Sequence, residues 1–128
     1  MKKVIQIPLF LIAILLLSCG KWSDNIKLST KSAEFSSLGD SIVVTTKGTS
    51  WWLSEITIDG TEFYDFHSID VLADSYLIKH DCVTFQRRNR STMFIKLDPN
   101  PLPVDRIVVI GLEAGDYFDR VTITQKPY

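Results

Sequence analysis

The feature that most restricts the fold is the period of the apolar runs after residue 25. In 41–47, Thr92–Leu97 and Tyr117–Gln125, apolar or β-branched residues recur at every second position, and the runs stop at Gly, Asp, Asn or Pro. A period of two puts one face of a strand inward. The punctuating residues mark turns. No run of a dozen residues carries helical spacing outside the N-terminal segment. The spacing predicts an all-β chain: an antiparallel sandwich of seven to nine short strands.

The individual elements follow from the same rule. Strands are expected over 26–30, continuing at 33–36, and over 41–47 and 51–58. Asp59-Gly60 marks a hairpin, because both central positions of a type I′ turn need positive φ. Residues 61–74 read as a strand followed by a loop dense in aromatics and acids. Tyr76–His80 and 82–87 read as strands meeting at Asp81. Arg88-Asn89-Arg90 reads as a turn, with Arg87, Arg88 and Arg90 at a solvated tip. Thr92–Leu97 should present Met93, Ile95 and Leu97 to one side. The three prolines between Asp98 and Pro103 preclude regular structure there. Residues 106–112 are apolar throughout and should lie centrally, followed by a turn at 113–116. Tyr117–Gln125 should point Val121 and Ile123 inward.

The N-terminal segment is of another kind. Lys2 and Lys3 precede an apolar run, 4–17, broken only by Gln6 and Pro8. Such a run is shorter than the roughly 20 residues that span a bilayer and fits the apolar part of a secretory signal. It ends Leu16-Leu17-Ser18-Cys19-Gly20, which resembles a bacterial lipobox. The resemblance implies that residues 1–18 are a cleaved signal peptide. Cys19 would become the acylated N-terminus, 19–25 a tether and 26–128 one domain. It also implies an outer-membrane location, with the facing leaflet left open, and a membrane partner through the lipid.

The chain has two cysteines. With Cys19 lipidated, Cys82 has no intramolecular partner, so the core alone must hold the domain. Fourteen basic residues face fifteen acidic ones, and two of the basic residues leave with the signal. That balance excludes a basic nucleic-acid surface.

"IKLSTKSAEFSSLGD", "SIVVTTKGTSWW" and "DRIVVIGLEAGDYFDRVTITQKPY" together resemble a BACON-type domain, the immunoglobulin-like sandwich of Bacteroidetes surface proteins. The resemblance covers essentially the whole domain and is weakest over 61–89. It implies an immunoglobulin-like topology. For function it implies either a carbohydrate-binding module or a spacer that holds other modules off the membrane, and it brings no sugar-binding residues with it.

Chemistry-bearing residues are few. Neighbours on a strand face opposite ways, so only one of Trp51 and Trp52 can lie in the core. The other, with Tyr64, is a candidate platform for stacking a sugar ring, unless loop residues 63–66 cover it. Asp40-Ser41-Ile42 resembles a short Bacteroidetes O-glycosylation site, with Ser41 as acceptor. His80 and Asp81 diverge along a strand and make a poor dyad. Asp65, Asp70 and Asp74 lack the spacing of a calcium loop. No motif demands a cofactor or metal, and no nucleophile elbow is present. The expected function is a non-catalytic envelope lipoprotein that binds or adapts, its partner a glycan or another envelope protein. The alternative is a structural spacer or assembly subunit without sugar binding.

Overall fold

The computed structural model describes residues 24–128. The signal peptide, Cys19 and the tether up to residue 23 lie outside the described residues.

Nine strands form, with no helix among the described residues: β1 Ser32–Phe35, β2 Asp40–Thr45, β3 Trp52–Ile58, β4 Thr61–Phe63, β5 Tyr76–His80, β6 Val83–Asn89, β7 Thr92–Leu97, β8 Arg106–Ala114 and β9 Tyr117–Gln125. They make two sheets, β1-β9-β8-β3-β4 and β2-β7-β6-β5. All pairs are antiparallel except β1 with β9. The chain is an all-β sandwich.

Alternation does what the sequence predicts. From the larger sheet Leu53, Ile56, Val108, Ile110, Leu112, Val121 and Ile123 point inward. From the smaller sheet Val44, Val83, Phe85, Met93, Ile95 and Leu97 meet them. Fully burying each such side chain contributes about 1.5–3 kcal/mol, with no disulfide among the described residues to assist. The strand at 106–112 is indeed central, as β8 in the middle of the larger sheet. Asp59 (φ 48°) and Gly60 (φ 84°) make the expected hairpin between β3 and β4.

Three expectations shift. Residues 26–30 do not form a strand. The Asp24 carboxylate accepts from the N–H of Ile26 (2.9 Å) and of Lys27 (2.7 Å), and Lys27 is driven to φ 53°. That kink leaves one bridge, Leu28 to Thr46, before the chain crosses to the larger sheet as β1. The turn expected at 88–90 narrows to Arg90-Ser91, because a bulge between Arg87 and Asn89 carries β6 two residues further, to Asn89. Cys82 lies in the β5–β6 turn, half-buried, and burial pushes its thiol pKa up.

Both ends of the sandwich are tied by polar side chains. Where the chain enters, Asp24 and Asp119 flank the Tyr117 hydroxyl, which donates to Asp119 at 3.3 Å. Asp119 also pairs with Lys31 at 3.1 Å. Loss of solvation and the two carboxylates push the Tyr117 pKa up to about 12. At the opposite end Asn100 is buried. Its amide donates to the carbonyls of Val104 (2.8 Å) and Lys126 (3.2 Å), and its oxygen accepts from Leu102 N (3.1 Å). Buried Gln125 donates to Ser36 O and Asp98 O, and accepts from Arg106 at 3.1 Å.

Candidate functional site

The adjacent tryptophans separate as strand geometry requires. Trp51, just before β3, is 1% exposed and cannot meet a ligand. Its Nε1–H donates to Thr46 Oγ1 at 2.9 Å. Burial therefore removes Trp51 from the expected platform and makes it the central aromatic of the core. Trp52 faces the outside of the larger sheet and is half-buried, opposite Glu113 of β8.

Trp51 owes its setting partly to Arg87, which the sequence places at a solvated tip. That expectation is overturned: Arg87 is 2% exposed. Its guanidinium carbon lies 3.9 Å from the Trp51 ring centroid. It donates to the carbonyls of Trp51 (2.7 Å), Thr49 (3.0 Å), Arg90 (3.2 Å), Ala73 (3.3 Å) and Asn89 (3.3 Å). No carboxylate is among those acceptors. Burial pulls its pKa below the ordinary arginine value, while nearby Tyr76 and Asp74 act the other way. The other two arginines do reach solvent. Arg88 lies 4.5 Å from the Phe94 ring centroid, and Arg90 pairs with Asp74 at 3.1 Å.

The loop after β4 settles Trp52's surroundings. Phe63 stacks on His80 at 3.7 Å and meets Phe66 edge-on at 5.2 Å. Phe66, Ile69 and Val71 pack against the core. The loop thus folds onto the sandwich, as the covering alternative requires, yet leaves a groove open. Trp52, Ser54, Tyr64, His67 and Glu113 line this groove, of about 320 Å³. Tyr64 is 70% exposed on its rim. Two of the three expected platform residues, Trp52 and Tyr64, therefore share one concavity.

The remaining candidates lie apart. Ser41 is exposed on edge strand β2, and its N–H donates to the Asp40 carboxylate. His80 is occupied by Phe63, while Asp81 sits in a turn at φ 51°. Asp65 and Asp70 accept from backbone N–H groups of their own loop, and Asp74 holds Arg90. Among the described residues, no group of three His, Cys, Asp or Glu side chains is placed to hold a metal ion.

Sequence reasoning missed the residues beside Trp52 on the outer face. Glu113 lies opposite it on β8, and Phe118 opposite Glu113 on β9. The signal was available in outward alternation, since Phe118 and Arg120 alternate with inward Val121 and Ile123. Sequence alone could not say which strands lie side by side.

Among solved structures, an NMR structure of a protein from Bacteroides thetaiotaomicron is similar in shape, with a TM-score of 0.68. It is 15% identical, and the match covers 85% of this chain and 92% of that chain. At this identity the likeness is one of fold. No family model and no curated protein matches the chain.

Proposed function

We propose that this chain is a non-catalytic envelope lipoprotein, anchored by lipid on Cys19 to the outer membrane, whose immunoglobulin-like domain of BACON type binds carbohydrate. The observation that carries the binding reading is the groove shared by Trp52 and Tyr64. A sugar ring offers an apolar C–H face to an aromatic plane and hydroxyls to the polar rim, here Ser54, His67 and Glu113. Trp52 is free for this because Trp51 fills the core.

The topology supports the finer fold reading. The order β4-β3-β8-β9 matches the C′-C-F-G order of an immunoglobulin sheet, and β2-β7-β6 matches B-E-D. Trp51 then immediately precedes the C-position strand, the strand on which that fold carries its buried tryptophan. The likeness to a Bacteroides protein extends to the shape of the sandwich alone.

A second reading, a spacer or assembly subunit, is favoured by one observation. Asp24 contacts Tyr117 at the start of β9, while Tyr128 N donates to Leu102 O beyond its end. The chain therefore enters at one end of the sandwich and reaches the other, as a spacer would.

A glycan array probed with the full chain in detergent separates the two. Binding that disappears in Trp52→Ala and weakens in Tyr64→Ala, with thermal unfolding unchanged, supports the carbohydrate reading. A blank array, or binding indifferent to Trp52, favours the spacer. The anchor is tested separately: Cys19→Ser should release the protein from the membrane fraction, and continued membrane association would sink it.

A further inference from the structure

The outer face of the larger sheet holds a second hollow beside the Trp52 groove. Two registered rows cross β3, β8 and β9 there: Trp52–Glu113–Phe118 and Glu55–Gly111–Arg120. A bulge between Leu53 and Glu55 makes Ser54 the extra residue of β3. Ser54 and Glu55 then both hang over Gly111, where an added Cβ would lie 2.6 Å from Glu55 Cγ and 3.1 Å from Ser54 Oγ. The missing side chain on the central strand lets them sit low. Beyond them a hollow of about 360 Å³ opens, lined by Ser54, Glu55, Gly111, Phe118 and Arg120 together with Leu112 and Asp119. It shares Ser54 with the Trp52–Tyr64 groove.

The lining is chemically unfinished. Phe118 is 64% exposed. Among the described residues, the side chains of Glu55, Glu113 and Arg120 make no hydrogen bond or ion pair. Asp119, by contrast, is taken by Lys31 and Tyr117.

We propose that this hollow is a second subsite, continuous with the Trp52–Tyr64 groove, and that the two together take adjacent units of a neutral glycan. The proposal rests on the carbohydrate reading above and adds length and charge to it. Sheet strands lie about 4.8 Å apart, so Trp52 on β3 and Phe118 on β9 are about 10 Å apart, farther than one sugar ring reaches. A hydroxyl both donates and accepts, so one sugar unit can serve the Glu55 carboxylate and the Arg120 guanidinium together. Two unpaired carboxylates against one guanidinium make the local field negative. That disfavours uronates and sulfated sugars.

The test is calorimetric titration of the full chain in detergent micelles. Its probes are neutral oligosaccharides of increasing length from laminarin, mannan and xylan, and oligogalacturonate as the anionic probe. Affinity should rise about tenfold from single sugar to disaccharide for the preferred neutral series. Phe118→Ala and Arg120→Ala should each remove about that gain and leave single-sugar binding unchanged. Trp52→Ala should abolish both. Oligogalacturonate should bind at least about tenfold more weakly, and Glu55→Gln should narrow that gap. If Trp52→Ala abolishes binding while Phe118→Ala and Arg120→Ala keep the disaccharide affinity, the second subsite falls and the carbohydrate reading stands. Oligogalacturonate binding as tightly as the neutral series overturns the charge argument. Silence towards every probe overturns both readings.

Discussion

At the end where the chain enters, a single buried guanidinium gathers three loops; at the opposite end two buried amides do the equivalent work. Arg87 donates to five carbonyls and accepts nothing. Asn100 and Gln125 donate and accept, so each can join an N–H or an arginine to a carbonyl. Only a planar, multiply donating cation fills the first position, and its charge must leave water without a carboxylate partner. A neutral amide carries a smaller desolvation cost. The entry end should therefore be the less tolerant of substitution.

The largest effect should come from Arg87→Met. It leaves five carbonyls without their donor and should cost about 3 kcal/mol or more in urea unfolding. Arg87→Lys should recover little, since an ammonium neither stacks on Trp51 nor spans the same acceptors. A loss below about 1 kcal/mol would mean that water replaces the guanidinium, and the contrast between the ends would break.

Asn100→Ala should cost about 2 kcal/mol. It should speed amide exchange in 98–105 and 126–128 while leaving the loops around Arg87 protected. Equal loosening at both ends would show one cooperative network in place of two.

A smaller effect belongs to Tyr117. Its ordinary value is 10.0, and the fold raises it to about 12. The folded state thus keeps a proton that the unfolded chain gives up. This contribution is complete below 10.0 and is lost as pH climbs towards 12. Tyr117→Phe should flatten the alkaline limb of the stability curve. An unchanged limb would leave the Asp24–Tyr117–Asp119 contact without energetic weight.

The smallest effect on stability is expected for Trp52→Ala, within about 1 kcal/mol, despite its predicted loss of glycan binding. A larger loss would make Trp52 part of the scaffold and weaken its claim as a platform.

What could be read from sequence was what neighbours along the chain decide. The hairpin at Asp59-Gly60, the inward face of Met93, Ile95 and Leu97, and the central place of β8 all follow from local pattern. Arg87 was misread because its partner Trp51 lies 36 residues away, and three nearby arginines suggest a solvated tip. A cue was nonetheless present. Val83 and Phe85 point inward, and the next position in that alternation is Arg87. Likewise Val121 and Ile123 lead to Gln125. In both strands the polar residue that ends an inward series is the one that ties loops together. The platform was partly legible, since the tryptophan pair had to split. The subsite beside it was not, because the β3 bulge and the pairing of β8 with β9 are properties of the sheet. The failed first strand has a local cause, the Asp24 carboxylate bending the backbone at Lys27.

The parallel pairing of β1 with β9 has a mechanical consequence. Four residues, Ser32 to Phe35, lie alongside Thr122 to Gln125 in the same direction. Tension applied where the chain enters and opposed at the far end acts along these strands. Their hydrogen bonds are loaded in shear and must yield together, whereas a hairpin pulled at its open end unzips one rung at a time. A domain held from one end and pulled from the other would resist as a clasp of several bonds, with the weakest direction lying across the sheet.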